Sequence, residues 1–147
     1  MNYTSAWHSY RKVATHTASP GQLVLMLFDG ALRFLNRALS GFEKDDPVEF
    51  NETINNNLIR AQSIIFELNK CLDLERGGEL AVTLRRLYDY MDRRLTESNV
   101  KKVSDGIVET IQRLTVLRDA WQQMLLSQGT APQPQPGMQP ASLSACV

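Results

Sequence analysis

Few side chains in this sequence are of types and spacings that could carry out chemistry. The two histidines, His8 and His16, both precede the first long apolar stretch, and the cysteines, Cys71 and Cys146, do not form a C-x-x-C pair. A di-iron bundle needs Glu-x-x-His pairs on its helices, and a haem or zinc bundle likewise needs ligands inside it. The sequence therefore predicts neither a metal site nor a bound cofactor.

The acidic residues Asp89 and Asp92 are the next candidates for chemistry. They share a predicted helix with four arginines, Arg85, Arg86, Arg93 and Arg94. Such a mixture is typical of a solvated, charge-balanced helix face, and the acids beside the arginines argue against nucleic-acid binding. Cys71 has no histidine near it in sequence to activate it as a nucleophile. We predict no catalytic residue, and an enzyme built on a helical bundle is a minor alternative.

Length and charge limit the possible functions further. The chain has 147 residues, with 16 Lys and Arg against 16 Asp and Glu, which suits one domain without a global field for nucleic acid or an anionic membrane. Asp29, Arg33 and Arg37 interrupt the most hydrophobic segment, so no apolar run approaches the ~20 residues of a membrane span. With no secretory signal and few cysteines, we predict a soluble, cytoplasmic protein.

The stretch from Ser19 to Phe42 organises the rest of the chain. Ser19 as N-cap, Pro20 in the first turn and Gln22 three residues after the cap predict the start of a helix. Its apolar residues cover roughly 200° of the helix, about twice the arc that one buried face needs. One stripe comprises Leu23, Leu27, Gly30, Ala31, Phe34 and Ala38. The second comprises Leu25, Phe28, Leu32, Leu35, Leu39 and Phe42. Either the helix lies between two neighbours, or one stripe is kept for a partner.

Three more helices follow. The second begins at Asp46 and Pro47 with an apolar seam of Phe50, Ile54, Leu58, Ala61, Ile65, Leu68 and Leu72. Asn55, Asn56 and Asn57 are expected on or near its outer face, and Ile64 and Phe66 lie off the seam. Gly77 and Gly78 mark a turn. The third helix, about Glu79 to Ser98, turns inward Leu80, Leu84, Leu87, Tyr88, Met91 and Leu95. The fourth, to about Ser127, buries Ile107, Ile111, Leu114, Leu117, Trp121, Met124 and Leu125.

The termini differ in composition from the helices. Trp7, Tyr10 and Val13 recur every three residues in a polar segment, and would share one side of a helical turn. Four of the six prolines lie after Gln128, without a charged side chain, which predicts a disordered tail. The sequence thus predicts an all-α, antiparallel up-and-down four-helix bundle at 19–127, with a short N-terminal helical flap at 1–18 and a disordered Pro/Gln-rich tail at 128–147.

Several runs together resemble one family, the flagellin-specific export chaperones, or FliS family. These are Trp7-x-x-Tyr10, TASPGQLVLMLFDGALRFL from Thr17, IIFELNKCLDLERGGELAVTLRRLYDYMDRRLTESN from Ile64, and Ala120-Trp121. They occur in the family's order and cover about residues 3–125. The tail is not covered, and Ser98-Asn99 stands where the family usually has Ala-Asn.

The resemblance implies a chaperone that holds the C-terminal segment of flagellin in the cytoplasm and prevents its premature polymerisation. It also implies delivery to the membrane component of the flagellar type III export gate, with Trp7 and Tyr10 as the gate-binding or flap residues. The client groove is then expected on the second stripe, at Leu25, Phe28, Leu32, Leu35 and Leu39, although the stripes could be reversed. We expect a monomer or weak dimer without membrane insertion. The alternative is a helical adaptor for another amphipathic segment.

Overall fold

A computed structural model describes residues 18–130, with side chains through 128, as four α-helices. They are α1 (Pro20–Gly41), α2 (Pro47–Lys70), α3 (Gly78–Lys101) and α4 (Asp105–Thr130). This part of the chain is all-α, as predicted, and α4 extends three residues past the expected end at Ser127. Trp7, Tyr10 and all but the edges of the predicted flap and tail lie outside the described residues.

The first two helices begin at the predicted caps. The hydroxyl of Ser19 accepts a hydrogen bond from the Gln22 amide at 3.2 Å, and the carboxylate of Asp46 accepts one from the Val48 amide at 3.0 Å. In each case proline follows the cap, where its missing N–H costs nothing because helix-start amides have no partner in the helix. Local sequence therefore sets both starting points.

The link between α2 and α3 is built around Asp73. Its carboxylate accepts hydrogen bonds from the amides of Glu75 at 3.0 Å and Arg76 at 3.1 Å, and its carbonyl accepts one from Gly77 at 2.8 Å. Gly78 then adopts a φ of +56°, which side chains other than glycine rarely tolerate. These roles give a physical reason for the Asp and Gly of the LDLERGGEL run.

The helices form an antiparallel ring in chain order, closed by α4 against α1. Two hydrogen bonds show that α2 and α3 are antiparallel. Gln62 of α2 contacts Asp92 of α3, and Asn69, later in α2, contacts Asp89, earlier in α3. Ser98 and Gly106 join α3 to α4 in the same antiparallel sense. The predicted up-and-down bundle is confirmed, and α1 lies between two neighbours.

The α1–α2 contact is close because small residues occupy it. A side-chain carbon at Gly41 would lie 2.8 Å from Ile54, and one at Gly30 would lie 3.2 Å from Ile64. Ile64, which lies off the seam by its spacing, is also buried, next to Gly30. Phe66, in contrast, is 61% exposed.

All predicted seam residues of α2 except the half-buried Phe50 are buried.

The α2–α3 contact has a row of polar side chains. Asn99 donates to Asn55 at 2.9 Å, Gln62 to Asp92 at 3.0 Å, and Asn69 to Asp89 at 3.0 Å.

The expectation that Asn57 lies on or near the outer face was wrong, since Asn57 is buried. The NH2 group of its side chain donates a hydrogen bond to the Thr53 carbonyl at 2.7 Å. The donor part of this buried amide therefore has a partner within its own helix.

Candidate functional site

Three leucines of the second stripe of α1 form a row on its surface. Leu25, Leu32 and Leu39 are spaced by seven residues, so they lie along one line of the helix, and each is only partly buried against the core. Phe28 and Leu35 of the same predicted site turn inward and are 3% and 0% exposed. The five predicted client-binding residues are thus divided into an accessible row, named here the leucine row, and a core pair.

The leucine row borders α4. Asp29 meets Arg118 across this boundary, and the helices are antiparallel, so Leu32 lies level with about residue 115 and Leu39 with about residue 108. On this side α4 presents the half-buried Ile111 and the 41% exposed Val108. Apolar side chains from two helices therefore line a shallow strip, which suits the apolar face of a third helix.

Polar contacts join α1 to α4 at one end of the strip. The indole N–H of Trp121 donates to the Gly21 carbonyl at 2.7 Å, and Arg118 donates to Asp29 at 2.7 Å. The hydrogen bond to Asp29 raises the pKa of the Arg118 guanidinium above its ordinary value. The two helices are close here, since a side-chain carbon at Gly21 would lie 2.5 Å from a methyl group of Leu125. The start of α1 is therefore held against α4.

A second apolar surface lies on the other side of α4. Leu80, Leu87, Leu117 and Met124 form it, named here the α3–α4 patch. Leu80 is 52% exposed and the other three are partly buried. The prediction that Leu80 faces inward was wrong, because it lies in the first turn of α3 at the end of the bundle. Periodicity assigned all four to the core, since a 3.6-residue repeat does not reveal where the facing helix ends.

The α3–α4 contact is fastened at its other end by a cluster around Glu109. The Tyr90 hydroxyl lies 2.8 Å from both carboxylate oxygens of Glu109, and Arg94 and Arg113 donate to it at 3.2 and 3.3 Å. Chiefly through the Tyr90 hydrogen bond, the pKa of Glu109 is lowered, and the same bond raises the pKa of Tyr90. The cluster stabilises the ionised carboxylate in the folded state.

Replacing Glu109 with glutamine is expected to make the free energy of unfolding decrease less than in wild type as the pH falls. The pKa of Glu109 lies below its ordinary 4.5 in the folded protein. The contribution of Glu109 to the free energy of unfolding is therefore present above that pH, and it is lost as the pH falls through the lowered pKa. Between about pH 7 and about pH 3.5, the unfolding free energy from urea titration should fall less for Glu109→Gln than for wild type.

Glu52 offers the matched control, because it is exposed and forms no ion pair among the described side chains. Glu52→Gln should follow the wild-type dependence on pH. If Glu109→Gln loses as much stability as wild type does, the cluster does not hold the carboxylate ionised.

No group of side chains within residues 18–128 has the composition and closeness of a metal site. Cys71 is the half-buried C-cap residue of α2. Asp89 and Arg85, from the charge-balanced face predicted for the third helix, both form hydrogen bonds with Asn69 of α2. In the same part of the chain, each helix falls short of the apolar length needed to cross a membrane.

Comparison with known proteins points in one direction. The family described as "Flagellar protein FliS" matches residues 3–128. The "Flagellar secretion chaperone FliS" of Bacillus subtilis is 39% identical over 87% of this chain and 92% of its own length. The protein of that description from Salmonella typhimurium is 41% identical over 76% and 80%. The "Flagellar secretion chaperone FliSB" of Pseudomonas aeruginosa is 36% identical over 82% and 96%.

Proposed function

Because the chain belongs to the FliS family of flagellar secretion chaperones, we propose that it binds the C-terminal segment of flagellin in the cytoplasm. Binding there prevents premature polymerisation and keeps the client ready for export. The family consists of chaperones rather than enzymes, which agrees with the sequence prediction. The leucine row is the observation that carries the proposal.

The leucine row suits a client helix in both spacing and exposure. Leu25, Leu32 and Leu39 recur at two-turn intervals, so an amphipathic helix lying beside α1 can place an apolar side chain between each pair. Each leucine is already partly covered, and full burial of such a side chain is worth about 1.5–3 kcal/mol relative to full exposure. Closing the remaining surface against a client supplies part of that energy at each position.

The α3–α4 patch extends the proposed client path. Because the leucine row lies on one side of α4 and this patch on the other, a client that contacts both must pass around α4. Leu80 supplies the most exposed apolar surface on the second side. A client without stable structure of its own can follow such a path, at the cost of its ordering entropy. Phe28 and Leu35, proposed in the same site by sequence, support the row from below.

Delivery to the export gate is proposed for the N-terminal segment. The Trp7-x-x-Tyr10 run supports this by its resemblance to the family's gate-binding residues. Aromatic side chains on a polar segment can insert into a partner's groove or cover an apolar surface of their own chain. The same two residues can therefore act as gate-binding residues or as a flap.

Titration calorimetry tests the client proposal directly. We expect the full chain to bind a peptide spanning the last forty or so residues of the same organism's flagellin with one-to-one stoichiometry. Burial of apolar surface should give a large negative heat-capacity change, measured by repeating the titration at several temperatures.

A peptide with the same composition in scrambled order is the control. A folded chain that does not bind the native peptide, or that binds both peptides equally, would contradict the flagellin proposal. It would favour an adaptor for a different amphipathic segment.

A further inference from the structure

Polar side chains interrupt the leucine row at regular places. In order along α1, the edge of the helix nearest α4 carries Leu25, Asp29, Leu32, Asn36 and Leu39. These positions are spaced by four, three, four and three residues, which keeps all five along one edge. A client helix that lies on the leucine row therefore meets a carboxylate and an amide as well as the leucines.

Helix α4 presents a matching row that is apolar at one end and polar at the other. Its members are Val108, Ile111, Thr115, Arg118 and Gln122. Because Asp29 contacts Arg118 and the two helices are antiparallel, the two rows match position by position. Val108 lies level with Leu39, where the strip is apolar on both sides. Gln122 lies level with Leu25, so the strip becomes polar toward the start of α1.

The Asp29 carboxylate at the polar end keeps one oxygen available. Arg118 donates from Nε to Oδ1 of Asp29 at 2.7 Å, while Oδ2 accepts no hydrogen bond from any side chain within residues 18–128. The Asp29 side chain is 48% exposed. Arg118 is also shared, since its Nη1 donates to Asp119 at 3.2 Å and to Gln122 at 2.8 Å. Asp29 can therefore accept a further hydrogen bond from outside the bundle.

The next cation along α1 does not occupy this carboxylate. Arg33 lies one helical turn after Asp29, but among the described side chains it has no carboxylate oxygen within 4.0 Å. Its Nη2 lies 3.9 Å from where a side-chain carbon would stand at Gly30, which faces α2 rather than α4. Around Arg118, two carboxylates, Asp29 and Asp119, therefore share one guanidinium, which leaves one negative charge in excess.

This charge discriminates between the side chains that a client can place opposite Asp29. An apolar side chain would remove water from the carboxylate without giving it a new partner, which costs free energy. An acidic side chain would be repelled. A lysine or arginine could donate to Oδ2, and a hydrogen bond between two charged groups is stronger than one between neutral groups.

We propose that Asp29 is a specificity-determining residue of the client path, and that it selects a helix with a lysine or arginine between the apolar side chains that contact Leu25 and Leu32. This inference rests on the proposed function, since it takes the flagellin segment as the client. The apolar end of the strip supplies affinity for any amphipathic helix. Sliding the client by one turn would move its cation from Asp29 to a leucine, so the same contact fixes the register of the client.

Calorimetry with a series of client peptides tests this role. The probe is the peptide spanning the last forty or so residues of the same organism's flagellin, with each lysine or arginine replaced in turn by glutamine. We expect one replacement to weaken binding to wild type about three- to tenfold, and to change binding to Asp29→Asn less than about twofold. Asp29→Glu keeps a carboxylate at this position and should keep part of the discrimination. A merely structural role of Asp29 would leave the ratio of the two affinities unchanged.

Two further variants are the controls. Glu52→Gln removes one negative charge from an exposed position on α2, and it should discriminate among the peptides as wild type does. Leu25→Ala removes apolar contact without altering charge, so it should weaken binding of all the peptides by a common factor. Circular dichroism checks the fold of each variant.

The outcomes separate this inference from the proposed function. If wild type binds the native peptide but no cation of the peptide couples to Asp29, the inference is overturned and the flagellin proposal stands. The same holds if Asp29→Asn discriminates among the peptides as strongly as wild type does. If wild type does not bind the native peptide, both are overturned.

Discussion

Replacing Leu32 with aspartate is expected to weaken binding of the flagellin C-terminal peptide at least about tenfold while the bundle remains folded. Leu32 lies in the middle of the leucine row and is only partly buried, so part of its surface is available to a client. A charge there cannot be buried without a partner, and the lost apolar burial alone is worth on the order of 1.5 kcal/mol. Calorimetry gives the affinity, and circular dichroism with urea titration gives the state of the fold.

Two further variants make this result interpretable. Val100→Asp alters an exposed apolar residue near the end of α3, away from both surfaces that flank α4, and should bind the peptide as wild type does. Leu35→Asp places the charge at a fully buried position and should unfold the bundle. If Leu32→Asp binds normally, the leucine row is not the client path. If it unfolds as Leu35→Asp does, Leu32 belongs to the core.

Gly106→Ala is expected to destabilise the protein by about 1–3 kcal/mol, although alanine has the higher helix propensity. The new carbon would lie 2.5 Å from the Arg94 carbonyl oxygen and 2.6 Å from the Ser98 hydroxyl oxygen. The first of these is backbone of α3, so the two helices must move apart. The hydrogen bond from the Gly106 amide to Ser98, at 3.0 Å and buried, would be strained as well.

Gly21→Ala is the matched control for that substitution. The carbon added there would also lie 2.5 Å from its nearest neighbour, but that neighbour is a methyl group of Leu125. A side-chain end can rotate away where backbone cannot, so Gly21→Ala should cost clearly less than Gly106→Ala in urea titrations. Equal costs for the two variants would show that the α3–α4 contact is not limited by the Arg94 backbone.

The elements themselves could be predicted because their signals are local. Ser19 and Asp46 cap the helices that they were expected to cap, since an N-cap needs only a short side chain and an amide two or three residues away. The apolar seam of α2 also follows from its spacing, and all but one of its residues are buried. Four such helices with short links leave an antiparallel bundle as the natural arrangement.

Some positions could not be predicted because their neighbours come from elsewhere in the chain. Ile64, which lies off the apolar seam by its spacing, is buried where α2 passes close to Gly30 of α1, and nothing near Ile64 in sequence shows this contact. Asp89 and Arg85 both form hydrogen bonds with Asn69 of α2, and nothing near either residue in sequence shows this contact. The polar row between α2 and α3 was missed for the same reason, since each of its contacts joins two helices.

The sequence by itself determined the four helices, their order, the family and the broad apolar arc of α1. Only the tertiary structure decided which part of that arc is accessible: Phe28 and Leu35 enter the core, while Leu25, Leu32 and Leu39 stay at its edge. Periodicity shows how apolar residues are distributed around one helix, because that depends on a fixed rotation per residue. Burial depends on where α2 and α4 lie, and the sequence of one helix does not show how far away its neighbours are.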